Sequence, residues 1–112
     1  MPIITNGIVR AKFEVAREMA FGDITNSFTR IGSVFEDNFS VLYVQNFTDV
    51  NIDFSISYAG TDKTFTLAPG GIICSDMDSN QVQISQGEAA FCKYRSGAPT
   101  SGFVQVSAIT AV

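Results

Sequence analysis

From residue 50 to residue 58 every even position is apolar (Val50, Ile52, Phe54, Ile56, Tyr58) and every odd one polar (Asn51, Asp53, Ser55, Ser57). A period of two marks a strand with one face on a core and the other toward water, because a helix would scatter these residues round its whole surface. The pattern returns over residues 63–67, after a connection whose Gly60 and Asp62 suit a tight turn, so the two segments read as a β-hairpin. Upstream, residues 39–45 are almost continuously β-branched or aromatic, as expected of a central strand covered on both faces. This strand is expected to run through Asn46-Phe47-Thr48-Asp49 into the strand at Val50, giving a meander.

Turn signals punctuate the rest of the chain. Ala68-Pro69-Gly70-Gly71 is a strong turn, residues 72–74 a short strand and residues 76–81 a polar loop. Residues 82–84, 89–95 and 103–109 complete the series, with the Gly- and Ser-rich stretch 96–102 joining the last two, and a further strand is expected over residues 25–31. Strands arriving at intervals of about 8 to 12 residues indicate a sandwich or barrel. The expected fold is all-β: a jelly-roll-like antiparallel β-sandwich over residues 23–112, preceded by an N-terminal arm or edge strand over residues 1–22. In that arm Val9, Ala11, Phe13 and Val15 alternate with Arg10, Lys12, Glu14 and Ala16, which favours an extended strand over a short helix.

Chain length fits one domain: for 112 residues the scaling laws bury around 65% of the unfolded surface, enough for a core without obligatory disulfides or metal. Only 16% of the residues are charged, against about 25% in an ordinary soluble domain. A large aromatic core, with ten Phe and three Tyr to house, is one explanation. Permanent cover of part of the surface by neighbouring subunits is the other, since obligate interfaces are poor in charge.

Seven basic residues against eleven acidic ones give a net charge of −4, with no basic cluster larger than Lys93 and Arg95. Nucleic acid and anionic membranes, which recruit clustered cations, are therefore not expected partners. No charged segment followed by an apolar one opens the chain, and no apolar run approaches 18 residues, so neither an export signal nor a membrane span is expected.

The chain has no histidine, which removes the side chain that titrates nearest neutrality and with it the common catalytic triads. A nucleophile at Cys74 or Cys92 would lack an imidazole base, and the eleven acids are scattered. No enzymatic activity, cofactor or small-molecule substrate is expected. Asp76, Asp78 and Asn80 match the first, third and fifth positions of a calcium loop, but Gln81 stands where Gly is needed and Gly87 where Glu is needed. That run reads as a polar turn, and no metal is expected. Cys74 and Cys92 read as two reduced core residues, with a bridge as the alternative. The sequons at Asn38 and Asn46 read as turn chemistry.

Four segments, Ile24-Thr25-Asn26-Ser27-Phe28-Thr29-Arg30-Ile31-Gly32, Val44-Gln45-Asn46-Phe47-Thr48-Asp49, Phe65-Thr66-Leu67-Ala68-Pro69-Gly70-Gly71 and Ala98-Pro99-Thr100-Ser101-Gly102, resemble a group of small phage virion proteins. In this length the chain is similar to the capsid decoration, or cement, proteins of short-tailed epsilon15-like phages. The resemblance covers roughly residues 24–110 and lies in turn signatures rather than active-site motifs. It implies a sandwich made in a bacterial host's cytoplasm and seated on the outer surface of the virion's capsid. There it would staple neighbouring major capsid protein subunits.

Under that reading the partners are the major capsid protein and the chain itself, as a dimer on a two-fold or a trimer on a three-fold, the dimer being slightly favoured. The arm supplies the expected contact surface, because an extended segment can add as a strand to a neighbour. The residues expected to make the capsid or self contact are Ile3, Ile4, Ile8, Val9, Phe13, Val15, Met19 and Phe21. Two other readings fit the same fold: a tail, collar or head-fibre component, and a lectin-like carbohydrate-binding module. The absence of Trp weakens the second.

Overall fold

The computed structural model describes residues 11–13, 15–36, 41–57, 59–61, 63–76 and 87–111. Those residues form β1 (Ala11–Phe13), β2 (Arg17–Ala20), β3 (Thr29–Arg30), β4 (Val41–Asn46), β5 (Ile52–Ser57), β6 (Phe65–Leu67), β7 (Ile72–Asp76), β8 (Ala89–Tyr94) and β9 (Phe103–Ala111). A single turn of 3-10 helix at Phe21–Asp23 is the sole helical element among them.

The strands lie in two antiparallel sheets. In the first, β1 and β2 share one edge of β9, followed by β4 and β7; the second runs β3, β8, β5, β6. From β2 to β9 the chain passes back and forth between the sheets as a jelly roll does, so the all-β sandwich read from the turn spacing is the observed fold. The core lies between the sheets. Leu42, Val44, Val104, Val106 and Ala108 of the first sheet meet Ile52, Phe54, Leu67, Ala90 and Cys92 of the second, with Ile24, Ile31 and Phe35 closing one side.

The expected hairpin is present: β5 and β6 pair antiparallel, Ile52 with Leu67 and Phe54 with Phe65. The expected meander is not. β4 belongs to the first sheet and β5 to the second, and the link between them is a corner built on Asn46. This side chain is fully buried. Its Nδ2 donates to the carbonyls of Val50 (2.9 Å) and Leu67 (3.0 Å), while its Oδ1 accepts from the N–H (2.9 Å) and hydroxyl (2.6 Å) of Thr48. One amide thus satisfies the backbone of the corner and carries the chain across the core.

The expected exposures of β4 and β5 are exchanged. β4 alternates, with Leu42, Val44 and Asn46 buried and Tyr43 exposed, so it has an open face. On β5 the polar residues Asp53 and Ser55 are buried as well, and Ser57 is half-buried. Asp53 accepts a hydrogen bond from Thr66 (2.6 Å) and lies 3.5 Å from Arg95 Nε, and the Ser55 hydroxyl lies 3.2 Å from that of Ser57. Cover comes from the connection after β5. Gly60, at φ 68°, lies so close above Phe91 that an added Cβ would be 2.5 Å from the ring.

Of the other expected strands, residues 25–31 pair as a strand only at Thr29 and Arg30, and the series 72–74, 89–95 and 103–109 appears as β7, β8 and β9. The stretch 82–84 and the calcium-like run beyond Asp76 lie outside the described residues.

Candidate interaction surface

Residues 11–13 and 17–20 are strand rather than helix, and both pieces pair with β9 of their own chain. Phe13 is in register with Ile109 and Arg17 with Val106, four residues along one strand against three along the other. One extra residue is therefore accommodated between them as a β-bulge. Val15 sits at this irregularity and is 87% exposed. Beyond it the register brings Arg17 and Met19 opposite the core residues Val106 and Val104.

Arg17 is buried. Its guanidinium lies 4.5 Å from the Phe35 ring centroid and donates to the carbonyls of Ser33 (2.8 Å), Val15 (3.2 Å) and Val34 (2.9 Å). It ties the bulge to the turn after β3 with a planar fork that no other side chain supplies. Its place in the register would have revealed it, had the bulge been visible in the alternation.

The proposed contact residues are thus separated. Ile3, Ile4, Ile8 and Val9 lie outside the described residues, and Phe13 is placed by its backbone register alone. Met19 packs on the core, where it accepts a hydrogen bond from the Cys92 thiol at 3.7 Å. Val15 and Phe21 are exposed.

Phe21 belongs to an aromatic end of the sandwich. Its N–H donates to the Gly102 carbonyl (3.0 Å), and Phe47 donates to that of Phe103 (2.8 Å), the two Phe47 and Phe103 rings being 4.9 Å apart. Gly102 lies against the Phe47 carbonyl at φ 87°, where an added Cβ would stand 1.9 Å from the oxygen. Phe21 and Phe47 are both exposed.

The outer face of the first sheet is the second exposed surface, and its residues follow from register. Glu18, Gln105, Gln45 and Ile72 form one cross-strand row, and Ser107, Tyr43 and Cys74 the next. Only Glu18 carries charge in these rows. Tyr43 is 39% and Ile72 57% exposed, in contrast to the buried Asp53 and Ser55 on the outer side of the other sheet. A hydrogen bond to Cys74, followed by that group's charge, holds the Tyr43 phenol above its ordinary value of 10.0.

The two cysteines are free and unlike each other. Cys92 is buried, and burial pushes its thiol up to about 12. Cys74 is exposed on β7, which corrects the expectation of two core thiols: in register it faces Tyr43 on the outer side, one residue out of phase with the inward Ile73. Among the described residues no three His, Cys, Asp or Glu side chains are grouped to hold a metal ion. The chemistry this surface offers is apolar and hydrogen-bonding contact.

No family model matches the sequence, and no curated protein matches it. Among solved structures the chain is similar to a Bacillus protein from work describing endospore appendages as "a novel family of disulfide-linked pili". The TM-score is 0.52 at 13% identity, over 98% of this chain and 96% of that one. The likeness is one of fold.

Proposed function

We propose that this chain is a non-enzymatic structural protein that packs against other protein subunits, and that its site is the outside of a phage capsid, where it staples neighbouring major capsid subunits. The observation that carries the packing role is the contrast between the sandwich's two outer sides. On the second sheet Asp53 and Ser55 are buried, whereas the first sheet presents a nearly uncharged face of Tyr43, Ile72, Cys74 and two glutamines. Faces of low charge with exposed aromatic residues suit protein contacts. The capsid itself rests on the resemblance of the four turn segments, and the low overall charge agrees with a partly covered surface. Binding would need no cofactor.

A second reading, a repeating fibre, tail or appendage subunit, is favoured by one observation. The solved structure of similar fold comes from disulfide-linked pili, and this chain carries an exposed, unbridged Cys74. Counting copies per purified particle separates the readings. Shell-wide stoichiometry, in fixed ratio to the major capsid protein, is the expected result. A few copies at one vertex, or none on heads, overturns the capsid reading.

A further inference from the structure

A sheet edge is a row of unpaired N–H and C=O groups, and sandwiches blunt theirs with bulges, inward charges, prolines, lysines or very short strands. Among the described residues three of the four sheet edges carry such devices. The β1–β2 edge has the bulge and the inward Arg17. β3 is two residues long. β6 is three residues long, between Lys63 and Pro69.

The fourth edge, β7, has none among the described residues. It runs five residues, Ile72–Asp76, in unbroken register with β4. It contains no proline, lysine or arginine, and its one charge is the terminal Asp76. Among the described residues nothing pairs with its outer side.

We propose that β7 pairs with β7 of a second copy, the two strands running antiparallel about a two-fold axis at Cys74 and joining the first sheets of both copies. The strand suits itself. Cys74 is its midpoint, so this register uses all five residues: Cys74 faces Cys74 of the partner subunit, Ile73 faces Ser75 of the partner subunit, and Ile72 faces Asp76 of the partner subunit. The two acidic residues fall at opposite ends, and any shift shortens the overlap.

Hydrogen-bond parity agrees. Asn46 N–H donates to the Gly71 carbonyl at 2.9 Å, so alternation turns residues 73 and 75 toward β4 and leaves the N–H and C=O of Ile72, Cys74 and Asp76 facing outward. Cys74 and its counterpart then form a hydrogen-bonded pair with Cα atoms about 5.5 Å apart, within the ~4.4–6.8 Å that a disulfide spans. The exposed thiol becomes a reporter of the pairing.

A five-residue edge is only ~17 Å long and offers less than the ~800 Å² per partner of a standard interface, so the reduced dimer is weak and concentration-dependent. This pairing is a property of the free chain and stands apart from the capsid reading.

The test is cross-linking of the purified chain by oxidised glutathione. One Cys74 thiolate attacks the glutathione disulfide and releases a glutathione thiolate; the second Cys74 thiolate then displaces the other, leaving one protein disulfide and two reduced glutathiones. The comparison is a Cys74→Ser, Thr61→Cys variant, whose new thiol is at an exposed loop position. Wild type is expected to form dimer roughly tenfold faster, because pairing raises the local thiol concentration. Ile72→Pro keeps Cys74 but removes an outward N–H, a change edge strands tolerate, and is expected to reduce the rate to that of the control. In reductant, sedimentation is expected to show dimer growing with concentration for wild type and absent for Cys74→Lys. Equal cross-linking of wild type and control, an unaffected Ile72→Pro rate, or a monomer at every concentration overturns the proposal.

Discussion

The Asp49 carboxylate accepts hydrogen bonds from both the backbone N–H (2.9 Å) and the hydroxyl of Thr100, fifty-one residues further along the chain. The link ties the corner after β4 to the turn before β9, so two of the segments that carried the family resemblance are two halves of one contact. Those hydrogen bonds hold the Asp49 carboxyl below its ordinary value of 3.8. A depressed folded pKa means that the unfolded chain binds the proton more readily. The stabilisation is therefore present above the unfolded value and is lost as pH falls through the folded one. Asp49→Asn is expected to lower the urea midpoint at pH 7, with the gap to wild type closing on acidification below about pH 4. A gap that stays constant down to pH 2 would refute the carboxylate's role.

Gly102→Ala is expected to be among the most damaging single substitutions. It adds the cost of a positive φ, about 1–3 kcal/mol, to a collision with the Phe47 carbonyl, itself held by backbone. The total expected in chemical denaturation is at least ~2 kcal/mol. Gly97→Ala, where an added Cβ meets nothing, is the matched control and is expected to change little.

Arg17→Ala leaves three carbonyls without their donor and opens space beside Phe35. Loss of a buried, charge-assisted hub costs roughly 2–4 kcal/mol. Arg17→Lys is expected to recover little of it, because one ammonium cannot reproduce the planar fork. Equal stability of Arg17→Lys and wild type in denaturant titrations would show that charge alone suffices.

Thiol labelling at pH 8 is expected to modify Cys74 rapidly and Cys92 only after unfolding. Burial favours the protonated Cys92 thiol, and its contribution to stability is lost as pH rises from the unfolded value of 9.0 toward about 12. Mass spectrometry is expected to find one label on the native chain and two in denaturant; two labels without denaturant would contradict the buried placement.

Much of this fold is legible in the sequence because period-two alternation and turn residues report local geometry. Which face is covered is decided by residues far away. The alternation of residues 50–58 marks a strand, yet Asp53 and Ser55 are buried because Thr66, Arg95, Phe91 and the Gly60 connection lie over them or bond to them. The near-continuous β4 looks doubly covered but keeps Tyr43 exposed. The surface residues were less legible for a different reason. A single bulge between Phe13 and Arg17 shifts the phase of the alternation, leaving Val15 exposed while Arg17 and Met19 pack inward. The exposed Cys74 and Tyr43 pair was equally hidden, since an apolar neighbourhood in sequence does not say which side of a strand a residue occupies.

The most direct measurement of the central claim is the heat stability of phage heads prepared with and without this protein and then supplied with the purified chain. The account predicts saturable binding to assembled heads, at a fixed ratio to the major capsid protein, and a higher rupture temperature for bound heads that the added chain restores. Heads that bind none of it, or that rupture at the same temperature with and without it, would contradict the account.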